Sequence, residues 1–292
     1  MINKYVFFFI IFIIFIISIL SLRYNFIHNL EDKKINKKLD PIFNELDLKI
    51  KLNSEEIPKT IFQTYYNKNK INNKVNKNLN KFAKGYNRVL FDDKDALKFL
   101  FENFSNVFVN KFKSMKKGAH KADLLRYCYL YVNGGIYIDI KTELVEDLDV
   151  IIKERKNKLY TVLSFLNFYF YNFTDYLMSV YQGFIAVPPK NFFIKEIIYK
   201  YMYINNCFIY FPFHINYLVF CQQFYGLISY YTKTNFLKVG NYKIKNFSFE
   251  LFQEVYDCSK GKKKDRYGWC VTVRDKNNRI LMNTRYSDYP WK

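Results

Sequence analysis

Residues 121–141 read KADLLRYCYLYVNGGIYIDIK, and the apolar spacing, glycine pair and alternation in this stretch decide the fold class. From Lys117 to Val132 the residues Ala122, Leu125, Tyr129 and Val132 recur at helical spacing, which predicts a helix with those four on one face. Asn133, Gly134 and Gly135 stop it, because glycine readily takes the left-handed backbone that ends a helix. Ile136 to Ile140 then alternates as a strand does. Asp123 and Arg126, three apart, are neighbours on the helix surface. Tyr137, Asp139 and Lys141, two apart, share one face of the expected strand. A helix that turns through two glycines into a strand therefore brings carboxylates, cations and a phenol to one strand end.

Upstream, Thr60 to Tyr65 and Tyr86 to Phe91 are short β-branched and aromatic runs that read as strands. Asn67 to Lys81 between them is polar and reads as loop or weak helix. Asp92 and Asp93 are N-cap residues for a helix through Asn103, with Ala96, Leu97, Leu100 and Phe101 at helical spacing. Strands and helices in alternation predict an α/β sheet with ligands at the carboxyl ends of its strands, and Asp139 lies near such an end. Downstream of Leu144 the sequence gives a Val187-Pro188-Pro189 turn, an amphipathic helix near Phe192 to Asn205 and late strands around Trp269 to Met282.

Tyr5 to Leu22 is an apolar run relieved only by serines, long enough to cross a bilayer as a helix. No small-residue cleavage site closes it, so residues 1–24 read as a transmembrane signal anchor of a single-pass membrane protein. Residues 25–57 are charged and Asn-rich and read as a stem or partly helical linker, and Pro58 opens the globular part, 58–292. Arg23, Lys33, Lys34, Lys37 and Lys38 follow the span while Lys4 precedes it, which by the positive-inside rule puts the domain in the cytosol. A Golgi-type enzyme has the opposite arrangement, so lumenal and cytosolic orientations both stand open.

The 292 residues carry 46 Lys and Arg against 26 Asp and Glu, a formal charge of +20. That charge suits nucleic acid, an anionic membrane or a phosphate-bearing substrate. Abundant Lys, Asn, Ile, Tyr and Phe with scarce Arg, Gly, Pro and Ala is also what an A/T-biased coding sequence produces. Scattered Lys and no nucleic-acid motif argue against a nucleic-acid partner. The five cysteines have no Cys-x-x-Cys or Cys/His ligand spacing, which argues against a zinc site. Cys258 and Cys270 flank a Lys-rich turn, and both a disulfide and two free thiols fit them. His28, His120 and His214 have no ligand spacing.

Ile57-Pro58-Lys59-Thr60-Ile61-Phe62-Gln63-Thr64-Tyr65, the Asp123-x-x-Arg126 pair and Gly134-Gly135-Ile136-Tyr137-Ile138-Asp139 together resemble glycosyltransferases with a DXD sugar-binding region. That group includes yeast initiating mannosyltransferases, capsular-polysaccharide transferases and, more distantly, clostridial glucosylating toxins. Gln182-Gly183-Phe184 is similar to the family's Asn-Gly-Phe segment, and Thr284 to Trp291 has a family look. The resemblance implies a GT-A-like fold and transfer of a sugar, with retention, from a UDP- or GDP-sugar to a glycan, lipid or protein hydroxyl. It implies Gln63 and Thr64 near the base, Asp123 and Arg126 at the nucleotide sugar, Tyr137 and Asp139 at ribose and diphosphate, and Gln182 beside the donor sugar.

Three positions depart from the family pattern. Lys141 replaces the second Asp of the DXD motif, Gln182 replaces Asn, and Phe220-Cys221-Gln222-Gln223 stands where a Thr-Gly-Pro is expected. A Mn²⁺ or Mg²⁺ site would then rest on Asp139, joined by Glu143 if the strand continues that far. Alternatively Lys141 meets the diphosphate as a point charge, which makes Asp139 and Lys141 the candidate catalytic pair. A catalytically inactive nucleotide-sugar- or glycan-binding relative is the alternative these departures leave open.

Overall fold

A computed structural model of the chain describes residues 38–50, 55–164, 178–203, 219–234, 236–257 and 270–288. The apolar run Tyr5 to Leu22, the Lys260 to Lys264 turn and the aromatic stretch Phe165 to Phe173 lie outside them. Among the described residues no helix is long and apolar enough to cross a membrane. The chain divides into residues 1–45 and 46–292. Of the first unit only 38–45 are described, as the opening turns of helix α1 (38–49). In the second unit Asp47, within the segment read as a stem, is fastened to the body. Its side chain accepts hydrogen bonds from Tyr131 and from Lys195 Nζ (3.2 Å), and its carbonyl accepts one from Lys190 Nζ (2.8 Å).

The described strands of the second unit form one ten-stranded sheet. Its first strands are β1 (Thr60–Thr64), β2 (Asn87–Phe91) and β3 (Gly135–Ile138), joined in parallel in the order β2-β1-β3. The path continues through β6 (Val180–Val187), β5 (Lys158–Leu163), β8 (Phe247–Tyr256), β9 (Val271–Arg274), β10 (Ile280–Asn283) and β4 (Glu143–Leu144), with β7 (Gly240–Ile244) paired to β8. Strand β4 follows β3 closely in sequence yet ends the path, so the sheet curls around a shared core. Ile61, Ile136, Ile138, Phe184, Phe252, Val273 and Leu281 fill that core, together with Val75 and Leu79 of helix α2 (Asn73–Phe82). The polar 67–81 stretch thus forms a helix, whose two buried side chains suffice to dock it. Its Asn78 exchanges two hydrogen bonds with the backbone of Leu144 (2.8 and 2.9 Å) and satisfies the short strand β4.

Helix α3 (Asp93–Asn103) begins as its sequence predicts, with a capping box in which Asp92 and Asp95 each accept the other's backbone N–H. A helix the sequence reading passed over, α4 (Asn106–Ser114), follows at once, with Ser105 as N-cap and Phe108, Val109 and Phe112 buried. Helix α5 (Gly118–Asn133) runs where expected, but its burial corrects the one-faced reading. Leu124 to Tyr131 are all buried, whereas Ala122 and Val132 are only half-buried. The helix is a middle layer. On one side Tyr129 stacks on Phe62 of β1 (centroids 3.8 Å apart, 6° between planes). On the other Tyr127 stacks on Phe224 of α8 (Val219–Thr232), and Tyr201 of α7 (Phe192–Tyr203) donates a hydrogen bond to the His120 carbonyl. His120 is therefore a core residue, 1% exposed, with its ring edge-on to Phe220. Cys128 and Cys221 are free thiols, and Cys270 is disulfide-bonded. Cys207 and Cys258 lie outside the described residues.

At the amino-terminal end of β1, Asp149 of the short helix α6 (Leu148–Ile151) accepts from Tyr86 Oη (2.6 Å), Lys59 Nζ (2.9 Å) and Arg155 Nη2 (3.0 Å). The Tyr86 hydrogen bond, helped by the two cations, holds this carboxyl at about 2. A carboxylate with a depressed folded-state pKa stabilises the fold above its unfolded value, near 3.8, and loses that contribution as pH falls through the folded value. Thermal melting of wild type and Asp149→Asn should therefore differ between pH 5 and 7, wild type higher, and converge as pH falls from about 4 to about 2.

Candidate active site

The chain leaves β1 for β2 on one side and returns to β3 on the other, so the carboxyl ends of β1 and β3 flank a topological switch point, where open α/β sheets bind ligands. A cleft of about 610 Å³ opens there, lined by Thr64, Tyr65 and Tyr66 after β1 and by Tyr137, Asp139, Ile140 and Lys141 at β3. Gly118, Ala119, Lys121, Ala122 and Arg126 of α5 complete it with Asp93, Phe112 and Arg285. The N-cap residue of α5, Lys117, makes no side-chain capping hydrogen bond, and Gly118, Ala119 and Lys121 of the first turn line the cleft at the positive end of the helix dipole.

Helix α5 reaches β3 through a close approach only glycine permits. Gly134 has φ 64° and ψ −161°, and a Cβ there would lie 2.6 Å from Pro189. At Gly135, φ 102°, it would lie 2.7 Å from the Thr60 carbonyl oxygen. With that turn fixed, β3 pairs Tyr137 with Phe62, and Tyr137 faces α5, where the Arg126 guanidinium lies 4.2 Å from its ring centroid. Asp139 follows directly. Its N–H donates to the Gly183 carbonyl (2.8 Å) and its carbonyl accepts from Thr142 N–H (2.9 Å), which fixes the turn.

Charge gathers on Asp139. Tyr137 Oη donates to its Oδ1 (2.6 Å), Lys141 Nζ lies 3.2 Å from Oδ2, and Arg126 Nη2 lies 3.7 Å from Oδ1. Arg126 Nη2 also pairs with Asp123 Oδ1 at 3.0 Å, and its Nη1 donates to the Gln182 carbonyl. The two carboxyls on this one guanidinium titrate in opposite directions. Burial pushes Asp123 up to about 6, because Arg126 is the one cation at ion-pair distance from it among the described residues and the Asp139 charge opposes ionisation. Burial alone would raise Asp139 too, but Lys141, Arg126 and the Tyr137 hydroxyl outweigh it and hold the carboxyl below the usual range. The closer ion pair thus belongs to the acid that is harder to ionise, since the number of charged partners decides rather than the shortest distance. Burial, reinforced by the neighbouring carboxylates, keeps the Tyr137 phenol protonated as a donor to Asp139.

The structure brings Asp123, Arg126, Tyr137, Asp139 and Lys141 together and puts Thr64 on the cleft wall. Gln63 and Gln182 are 0% and 4% exposed, lie outside the cleft lining, and have side-chain amides with no hydrogen-bond partner among the described residues. Glu143 lies outside the cleft lining. Strand β3 stops at Ile138, and the Asp139 to Thr142 turn breaks the alternation that would have carried Glu143 to the same face. Its carboxylate instead accepts from Asn283 Nδ2 (2.9 Å) across the β4–β10 pair. Mn²⁺ and Mg²⁺ need several oxygen ligands, and among the described residues no group of three or more His, Cys, Asp or Glu could hold a metal. With one Asp139 oxygen taken by a phenol and the other by an ammonium, the residues present do not fit a divalent cation.

Sequence reasoning missed part of the lining. Lys121 pairs with Asp93 across the cleft (2.9 Å), a contact between two helices that spacing does not show. Arg285 arrives from the end of the chain because Tyr286 N–H donates to the Lys141 carbonyl (2.9 Å). The Thr284 to Trp291 segment was the signal available for it.

Residues 66–158 match the protein family described as "Glycosyltransferase sugar-binding region containing DXD motif". The match takes in Asp123, Arg126, Tyr137, Asp139 and Lys141 and begins after Gln63 and Thr64. Among curated proteins the chain is similar to a polyribonucleotide nucleotidyltransferase of Karelsulcia muelleri (strain GWSS), 31% identical over 99 residues. That stretch is 30% of this chain and 14% of that protein, and the relative's activity is not carried over. Among solved structures it is similar to the PaToxG glycosyltransferase at 18% identity, covering 70% of this chain and 79% of that one with a TM-score of 0.42.

Proposed function

We propose, from the premise that this chain carries the sugar-binding region of the DXD-motif glycosyltransferases over residues 66–158, that its cleft binds a UDP- or GDP-sugar and transfers the sugar to a hydroxyl. The observation that carries this reading is Asp139 at the β1/β3 switch point, joined to Tyr137, Arg126 and Lys141 and open to the cleft. A nucleotide sugar asks for that set: a carboxylate for ribose or sugar hydroxyls, and cations with backbone N–H groups for the diphosphate. Tyr65 and Tyr66, rings 4.7 Å apart on the cleft wall, offer an aromatic surface for the base.

In the proposed reaction the bond from the sugar's anomeric carbon to the diphosphate oxygen breaks, and a bond from that carbon to the acceptor oxygen forms. The acceptor's proton passes to the departing diphosphate. The resemblance to retaining enzymes supports attack from the face the diphosphate leaves. Positioning and stabilisation of leaving-group charge supply the rate. The GT-A arrangement, the membrane anchor and a glycan, lipid or protein acceptor belong to the same proposal.

Lys141 at the second DXD position favours one other reading, a relative that binds the donor and does not turn it over. A panel of UDP- and GDP-sugars incubated with the full chain separates the two. Release of free nucleotide diphosphate from at least one donor is the expected result. Saturable binding with no release from any donor would establish the non-catalytic relative, and a folded chain that binds no donor would remove the proposal.

A further inference from the structure

We infer that this site holds the donor's diphosphate without a divalent cation, with the Lys141 ammonium in the place a metal would take. The inference rests on the proposed donor site and deepens it. Three observations at Asp139 point the same way. Its Oδ2 is paired to Lys141 at 3.2 Å, its Oδ1 accepts from the Tyr137 hydroxyl, and Glu143 is turned away to Asn283. A dication seated on Asp139 would meet an ammonium at van der Waals range and find one carboxylate where it needs several oxygens.

The cleft's own charge balances the ligand instead. Its lining carries Lys121, Arg126, Lys141 and Arg285 against Asp93 and Asp139, and with Asp123 3.0 Å from Arg126 the balance is still positive. The diphosphate diester of a nucleotide sugar carries two negative charges, the number a divalent metal neutralises. Lys141 suits the task, since its side chain is 26% exposed, enough to be held by Asp139 and still face the cleft. An ammonium is a compact point charge with three donors on a flexible stem, and needs no fixed coordination geometry. The first turn of α5, whose N-cap Lys117 makes no side-chain cap, lies on the same wall and brings the positive end of its helix dipole to the cleft.

The test is calorimetric binding of UDP and of GDP to the full chain, once in EDTA and once in Mn²⁺, for wild type, Lys141→Gln and Lys141→Asp. Wild type is expected to bind the preferred nucleotide with an affinity that differs by less than about twofold between the two conditions. Lys141→Gln should bind about tenfold more weakly in EDTA, the scale of one charge-assisted contact. Lys141→Asp, which restores the second carboxylate, should bind only when Mn²⁺ is present. Wild-type binding that appears with Mn²⁺ and vanishes in EDTA would overturn the inference and leave the donor site standing. A folded wild type that binds neither nucleotide in either condition would overturn the donor site itself.

Discussion

The substitution Asp139→Asn is expected to lower donor turnover by roughly a hundredfold to a thousandfold, the range for losing one preorganised polar group where charge develops. It keeps shape and removes charge. The carboxamide oxygen that replaces the carboxylate can still accept from Tyr137, and the backbone bonds to Gly183 and Thr142 involve no side-chain atom of this residue. The fold should therefore survive, with melting within a few degrees of wild type. What goes is the one carboxylate among the described residues within ion-pair distance of both Arg126 and Lys141. Arg126 keeps Asp123 and the Gln182 carbonyl, so it stays placed. Lys141 loses the charge that aims it, and a donor hydroxyl meeting the amide would face a group half donor and half acceptor. Steady-state release of nucleotide from the preferred donor, measured beside a melting curve, is the check. A variant that keeps more than about a tenth of wild-type turnover would mean the carboxylate stands outside the reaction.

The parts of this site legible in the sequence are those set by local rules. Asp123 and Arg126 meet because helix neighbours three apart meet. Tyr137 and Asp139 meet because the strand period is two, and the turn between them and the helix was written in Gly134 and Gly135. The N-cap read at Asp92 likewise marked the start of α3, where the structure adds Asp95 to complete a capping box. Where the local rule stopped, the reading failed at the next residue. Strand β3 ends at Ile138, and Lys141 still reaches Asp139 only because a flexible stem spans the turn, while Glu143 falls to another strand pair.

Features made by distant chain were not legible. The outer face of α5 is buried by Tyr201 and Phe224, which helical spacing within α5 cannot reveal. The late strands were visible, but their place in a curled sheet depends on pairings such as β5 with β8, in parallel across a long crossover. Arg285 reaches the cleft by one backbone hydrogen bond from Tyr286 to Lys141. The burial of Gln63 and Gln182, both outside the cleft lining, is set by packing of the layers rather than by either strand's own pattern.

Gly134→Ala should be strongly destabilising, at a cost of about 2–6 kcal/mol, the sum of two causes. The backbone at φ 64° and ψ −161° lies in a region open essentially to glycine alone, worth about 1–3 kcal/mol of strain. The new methyl would also sit 2.6 Å from Pro189 N and Cδ, backbone and ring atoms that cannot swing aside, and overpacking of that kind costs about 1–3 kcal/mol. For a chain of this size the sum corresponds to a melting temperature lower by roughly 10 °C. The same chemical change at Gly226, exposed in helix α8 with nothing within 4 Å of the added carbon, should act in the opposite direction. There alanine replaces a flexible residue inside a helix, and stability should rise by about 0.5–1 kcal/mol. Melting curves of the two variants against wild type test the pair, and a Gly134→Ala protein as stable as wild type would mean that the helix does not approach Pro189 this closely. The consequence reaches the chemistry. Asp123 and Arg126 lie on one side of this turn and Tyr137 and Asp139 on the other, so any relief of the clash must shift one pair relative to the other. A site that works by charges held within a few tenths of an ångström should lose turnover in Gly134→Ala even at temperatures where the variant is fully folded.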